Sequence, residues 1–256
     1  MSSFATTPHA SALVVGANRG IGLEFVRQLL ARAEFEHIFA TYRRAEVSTA
    51  LLDESIHQPQ RLHCLQLDPT EETAMAASVQ SIQSVTSKLH LVVNCVGFLH
   101  NETVQPEKSL RQIDVAQLAQ YFQINSIAGI VLAKHVFPLL KHEERSVFAS
   151  LSAKLGSIGD NGLGGWYGYR ASKAALNMLM RTAAIEYRRK RSQAIVVTLH
   201  PGTTDTRLSK PFQQNVPPEK LFSVERTTRQ LLTVIDGLEE SDSGHFFSWD
   251  GSRLPW

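Results

Sequence analysis

Strand-length apolar runs recur along the chain at 13–15, 37–40, 62–65, 89–96, 147–151, 195–199 and 245–249. Between them, apolar residues fall three and four positions apart, as at Leu23, Val26, Leu29 and Leu30, at Ala74, Ala77, Val79 and Ile82, and at Leu176, Leu179 and Met180. Short unbroken runs suit strands buried on both faces, and the longer spacing marks helices with one covered face. Parallel strands need a crossover long enough to return, and a helix in that crossover covers the sheet. The alternation therefore predicts an α/β fold: a doubly wound, mostly parallel seven-stranded sheet with helices on both faces. No linker-like break and no fixed repeat interrupts the rhythm, so residues 1–256 are read as a single domain. Two segments depart from it, 156–168 with six glycines and 205–219 with Pro211, Pro217 and Pro218, and both are predicted as loops around a site.

Composition narrows the partners. With 43% hydrophobic and 20% charged residues the chain is neither disordered nor a disulfide scaffold. The 26 Lys and Arg against 24 Asp and Glu are too balanced for a broad basic face, so no nucleic-acid partner is expected. The basic run Arg188-Arg189-Lys190-Arg191 closes a helical segment, where cations complement the dipole. Cys64 and Cys95 lie in apolar runs rather than at staple positions, and the residues before position 13 lack a basic and then apolar leader. A reducing, cytoplasmic setting is expected, with no membrane span, since no run approaches eighteen uninterrupted apolar residues. The ten histidines show no ligand spacing, and no metal is expected.

After the first apolar run comes Gly16-Ala17-Asn18-Arg19-Gly20-Ile21-Gly22, followed by a helical pattern. Glycines here allow a tight turn and let backbone N–H groups at a helix N-terminus approach a pyrophosphate. The spacing is one residue longer than the common Rossmann fingerprint, but its place between strand and helix points to a dinucleotide. NAD sites usually carry an acidic residue at the end of the second strand, where this chain reads Thr41-Tyr42-Arg43-Arg44. No carboxylate repels a 2′-phosphate there. Arg43 offers a planar fork for one and Arg19 a second cation, so NADP(H) is the expected cofactor.

Tyr169 and Lys173 stand four residues apart at the start of a long helical segment, hence on one face. A nearby ammonium favours phenolate and brings a phenol toward working pH, which suits proton exchange with a carbinol oxygen. Tyr167 has Ala171 at the same spacing.

The glycine turn, Asn94-Cys95-Val96-Gly97, Asn125, Tyr169-x-x-x-Lys173 and Pro201-Gly202 occur in one order. By these the whole chain resembles the short-chain dehydrogenase/reductase family. Gly156-Ser157-Ile158, Gly164-Gly165, Tyr167-x-Tyr169-Arg170 and Ala171-Ser172-Lys173 resemble the branch with sniffer-type carbonyl reductases and the C-factor signalling protein. The resemblance implies Tyr169 as general acid, with Lys173 lowering its pKa and binding the nicotinamide ribose. It implies Asn125 as holder of a water that links Lys173 to solvent. Asp68 would receive the adenine amine, Asn94 and Gly97 would border the adenosine ribose, and Pro201, Gly202 and Thr206 would meet the nicotinamide. A homodimer or homotetramer through 118–140 and 169–187 is also implied, a monomer burying the same faces against its own sheet being the alternative.

One feature departs from the family pattern Ser-Ser-x-x-Gly. Counting back from Gly156 in Ser150-Leu151-Ser152-Ala153-Lys154-Leu155-Gly156 puts Ala153 where the catalytic serine belongs. Ser152 is the favoured substitute through a one-residue insertion; Ser157 or a weakened site are the alternatives. The expected function is hydride transfer between NADP(H) and a small-molecule carbonyl or secondary alcohol, with Tyr169, Lys173, Ser152 and Asn125 catalytic. Substrate would lie between the loop after Gly156 and segment 206–219, with Leu163, Trp166 and Phe212 as apolar wall. A cofactor-binding regulator with little turnover is the rival reading, and an epimerase or dehydratase reusing Tyr169 is a third.

Overall fold

The computed structural model describes Phe4, Thr7 and residues 9–256. Its strands are β1 (Ala10–Val15), β2 (Phe35–Tyr42), β3 (Leu62–Gln66), β4 (Leu91–Asn94), β5 (Val147–Leu151), β6 (Ile195–His200), β7 (Thr203–Thr204), β8 (Leu221–Phe222) and β9 (Phe246–Ser248). Its helices are α1 (Gly20–Leu30), α2 (Thr49–His57), α3 (Glu72–Gln83), α4 (Val115–Phe122), α5 (Ala128–Leu140), α6 (Tyr167–Arg189) and α7 (Val224–Gly237). Seven strands form one sheet in the order β3-β2-β1-β4-β5-β6-β9, every neighbouring pair parallel. The chain direction of winding reverses between β1 and β4, and the carboxyl ends of these strands open a crevice there.

The apolar runs are explained by coverage on both faces. Along β5, Val147, Ala149 and Leu151 enter a core with Phe25 and Leu29 of α1 and Leu231 and Ile235 of α7. Phe148 points the other way, among Val79 of α3, Leu132 and Val136 of α5 and Leu176 and Met180 of α6. The short pair β7·β8 stands apart from the main sheet.

The helical stretch Val115–Leu140 is apolar and long enough, by length and composition, to cross a membrane, with a mean hydropathy of 1.3 and half of its most apolar window buried. Its inner side packs on the sheet and on α6, as a core helix requires. Between α4 and α5 it runs through a π-helical turn, Gln123–Ile127. α6 begins earlier than the run of glycines suggests. Gly168 lies inside it, where a Cβ would collide with the Tyr121 ring.

Candidate active site

The glycine turn is built by close approach. Gly16 has φ +82°, and its N–H donates to Thr41 Oγ1 at 3.1 Å, while Ala17 N–H donates to the Thr41 carbonyl at 2.8 Å. A Cβ on Gly22 would run into the Gly16 carbonyl oxygen, so the helix packs on its own turn only with glycine there. Arg19 is the extended N-cap of α1 and makes no side-chain cap, which leaves the first N–H groups of the helix facing outward.

Those groups face a cavity of about 1130 Å³ at the carboxyl ends of the strands. Gly16, Asn18, Arg19, Gly20, Ile21 and Gly22 line it from the turn. Tyr42 and Arg43 line it from the end of β2, Asp68 from the end of β3, Gly97 from the end of β4, and Thr206 from beyond β7. Asp68 Oδ1 accepts from Thr70 N and Oγ1 at 3.0 and 2.7 Å, and Asp68 Oδ2 lies 4.0 Å from Arg43 Nη1. Arg44 and Arg207 also line it, which makes four arginines around the cavity with Arg19 and Arg43. Burial first, and then Arg207, Arg43 and Arg44, hold the Arg19 guanidinium below its usual pKa. A wall so charged is made for an anion.

Tyr169 and Lys173 are both buried, and Lys173 lies behind Gly97 and Leu151 of the cavity lining. A methyl on Gly97 would stand 3.7 Å from Lys173 Nζ, so only the cavity wall separates the ammonium from the space. Lys173 Nζ lies 6.0 Å from the centre of the Tyr169 ring and donates to the Leu151 carbonyl at 2.9 Å. Burial pulls Lys173 down to about 8, with Cys95 opposing. Tyr169 is pushed up from the usual phenol value by burial. Lys173 points its hydrogen bond at the end of β5 instead of at the phenol.

Asn125 sits in the π turn, a geometry often found at functional sites. Its amide clamps the Phe98 backbone, accepting from N–H at 2.7 Å and donating to the carbonyl at 2.9 Å. It also donates to Ser172 Oγ at 3.0 Å, and Ser172 in turn donates to the Tyr169 carbonyl at 2.8 Å. The side chain thus ties the loop after β4 to the helix that carries Tyr169.

Ser152 N–H continues the ladder to the Leu199 carbonyl at 2.8 Å, and its buried hydroxyl has no hydrogen-bond partner among the described residues. Ala153 caps the short turn Lys154–Gly156, and Gly156 packs directly on the Lys173 backbone. Ala153 shares an apolar cluster with Tyr169, Tyr121 and Leu99. Ser157 is buried as well, and its hydroxyl accepts the Asp160 N–H at 3.2 Å.

Three further residues lie behind the cavity rather than on its wall. Asn94 is 3% exposed; its amide donates to Ser150 Oγ at 2.9 Å and accepts Val96 N–H at 3.1 Å, shaping the turn that carries Gly97. Gly202, φ +73°, is required because a Cβ would meet Phe222 at 2.7 Å and Trp249 at 3.1 Å. With Pro201 it directs the chain toward Thr206. Leu163, expected in the apolar wall, is 92% exposed, whereas Trp166 and Phe212 pack 4.6 Å apart beside the Tyr169 cluster.

Sequence reasoning passed over 98–103, Arg207 and Glu107. The first two follow from a general signal, since loops after strand carboxyl ends line the crevice. Glu107 carried no signal. It is 1% exposed, its carboxylate accepts Gly168 N–H and Gln117 Nε2, each at 3.2 Å, and its carbonyl accepts Trp166 N–H at 2.5 Å. A buried carboxylate thus caps the N-terminus of α6, two residues before Tyr169.

A glycine turn opening on a helix N-terminus at the point where a parallel sheet reverses its order defines a nucleotide-binding protein of the doubly wound α/β class. Residues 10–217 match the short chain dehydrogenase family, and the chain belongs to it. Among characterised relatives, C-signal of Myxococcus xanthus is 33% identical over 148 residues, covering 58% of this chain and 84% of that protein. The structure of NADPH-bound carbonyl reductase from chicken fatty liver superposes with a TM-score of 0.86 at 29% identity, covering 97% of this chain and all of that one. Carbonyl reductase Sniffer of D. melanogaster superposes with a TM-score of 0.85 at 28% identity, with the same coverage.

Proposed function

We propose that the protein is an NADP(H)-dependent carbonyl reductase. The observation that carries this reading is the buried pair Tyr169 and Lys173, with Lys173 Nζ against Gly97 of a cavity that Arg19, Arg43 and Arg44 also line. The residues fit the dinucleotide: glycine lets the backbone approach a pyrophosphate, the end of β2 carries guanidiniums and no carboxylate, and Asp68 faces the same space. Gly97 and Thr206 border the same space. Similarity to the NADPH-bound chicken reductase supports the same cofactor.

NADPH, when bound, supplies a hydride to the carbonyl carbon. Tyr169 supplies the proton to the carbonyl oxygen; burial keeps the phenol protonated at neutral pH, which favours the reductive direction. Lys173 brings positive charge to the cofactor side of the site. Asn125 and Ser172 hold the Tyr169 backbone, and the apolar surroundings of Trp166, Phe212 and Leu208 exclude water.

The test is NADPH oxidation by the purified protein with a panel of aldehydes, ketones and quinones, run beside Tyr169→Phe. Turnover that disappears in the variant while NADPH still binds supports the reading. Turnover that survives refutes the role of Tyr169. One observation favours a second reading, a nucleotide-binding regulator with little turnover: Ala153 provides no hydroxyl in the cluster around Tyr169. That reading requires NADPH binding with no consumption by any of the carbonyls, and a biological effect that Tyr169→Phe leaves intact.

A further inference from the structure

Tyr169 is buried, and neither it nor Trp166 nor Phe212 lines the cavity, whereas His100 and Leu208 do. Packed on the tyrosine are aromatic rings from two distant segments. The Trp166 indole meets the Tyr169 ring edge-on at 6.3 Å, and the Phe212 ring lies 4.6 Å from that indole. Trp166 is held there with a left-handed backbone, φ +54°, and its N–H donates to the Glu107 carbonyl. A bulky residue kept in so costly a conformation points to a role for its ring. Phe212 arrives from the segment 206–213, and Leu208 of the same segment joins the Tyr169 cluster.

That segment is bonded mostly to itself. Ser209 Oγ donates to the Thr204 carbonyl at 2.5 Å, and Gln213 Nε2 donates to Asp205 Oδ1 and Ser209 Oγ, each at 2.9 Å. The Ser209, Lys210 and Phe212 amides close on the Thr206 and Ser209 carbonyls. Among the described residues, its one hydrogen-bonded tie beyond 204–216 is His100, whose Nε2 lies 3.3 Å from the Arg207 carbonyl and 3.1 Å from the Leu208 carbonyl. Carbonyls only accept, so they fix the proton on Nε2 and the imidazole donates. The same ring meets Phe212 edge-on at 5.5 Å. His100 has a fixed footing: Asn125 clamps the Phe98 backbone, and the Leu99 carbonyl accepts the Tyr121 hydroxyl at 2.6 Å. One side chain therefore joins an anchored loop to a segment that can carry its own bonds with it. Such segments open locally at small cost.

We propose that His100 is a positioning residue that latches segment 206–213 closed, so that Phe212 and Leu208 screen Tyr169 and a substrate reaches the phenol when the latch releases. The consequence for turnover rests on the carbonyl reductase reading; the latch itself rests on contacts within the chain. A closed segment admits a slim carbonyl compound through small openings more readily than a broad one, so His100 also sets the breadth of substrate accepted.

The test is hydrogen–deuterium exchange on the full chain without cofactor, followed by kinetics with NADPH. His100→Phe keeps a ring against Phe212 and removes the donor; His100→Gln keeps an N–H donor in place of Nε2. His100→Phe is expected to speed exchange in peptides covering 206–213 by about tenfold, the size of one neutral hydrogen bond, with β5 and α6 unchanged. His100→Gln should restore most of the protection. Unchanged exchange in 206–213 overturns the latch, as does a rise shared equally by β5 and α6, or a glutamine variant that exchanges as fast as the phenylalanine one. In turnover, His100→Phe is expected to raise the ratio of kcat/KM for 1-naphthaldehyde over propanal by about fivefold or more, and an unchanged ratio overturns the screening of Tyr169. If the wild type reduces no carbonyl while exchange follows the expected pattern, the reductase reading fails and the latch is supported.

Discussion

Lys173 Nζ donates to the Leu151 carbonyl at 2.9 Å, so the ammonium four residues after Tyr169 is anchored to the last residue of β5. Burial brings this lysine down to about 8. A base depressed in the folded state gives the fold its full stability above the unfolded value near 10.5 and costs stability as pH falls through about 8. At pH 7 the buried charge is therefore a net cost. Lys173→Met is expected to raise stability at pH 7 by up to about 3 kcal/mol in urea unfolding while turnover is lost. In the wild type, reduction should decline as pH rises through about 8 and Lys173 loses its charge, which a pH–rate profile reads directly.

Ala153 occupies the apolar cluster of Tyr169, and the buried Ser152 hydroxyl has no partner among the described residues. One missing oxyanion donor typically costs a factor of about 10² or more in turnover. Ala153→Ser is accordingly expected to raise kcat for unactivated ketones by roughly 10- to 100-fold. Ser152→Ala should leave kcat within a factor of a few, because its hydroxyl makes no bond to lose. A large drop in Ser152→Ala would return the donor role to Ser152.

Glu107 caps the helix that carries Tyr169. Glu107→Ala strands the Gly168 N–H and the Gln117 amide in a buried site, and a loss of about 2–4 kcal/mol of stability is expected from thermal unfolding. Glu107→Gln keeps an acceptor for Gly168 and should recover most of that stability. Because α6 then sits less firmly, kcat should fall more than KM rises, with NADPH affinity retained.

Arg43 ends β2 where an acid would select NADH. Arg43→Asp is expected to move preference from NADPH toward NADH by about tenfold or more, measured as the ratio of kcat/KM for the two cofactors.

Acid should unfold the protein through two imidazoles held neutral. His90 accepts Ser11 N–H at Nδ1 and donates from Nε2 to Glu144, and burial is the main cause that lowers its pKa. His200, whose buried Nδ1 has no partner among the described residues, is pushed down to about 4, by burial first and by Lys154 second. The unfolded chain takes up both protons near pH 6.5 and the folded chain does not. Stability is thus full above about 6.5 and is lost as pH falls toward 4. His200→Asn should reduce the loss by about 1–3 kcal/mol between pH 7 and 4.5, read from denaturation midpoints.

Much of this was legible in the residues. Apolar runs such as 147–151 became strands because covered sheet faces tolerate no polar interruption, and the glycines at 16, 20 and 22 announced a turn that only glycine can make. The spacing of Tyr169 and Lys173 on one helix was likewise a local fact. What pattern could not supply was contact between distant segments. Leu163 and Phe212 look alike as apolar loop residues, yet one faces solvent and the other packs on Trp166.

The sequence by itself determined the parallel sheet, the glycine turn, the cationic end of β2 and the identity of the tyrosine–lysine pair, since each depends on residues within a turn or two of one another. Only the tertiary structure decided the rest. Which of Ser152 and Ala153 joins the tyrosine cluster depends on how β5 meets α6 at Gly156. That Glu107 caps a helix 61 residues onward depends on packing across the fold. Burial, which only the folded chain creates, raises the Tyr169 phenol and lowers the Lys173 ammonium.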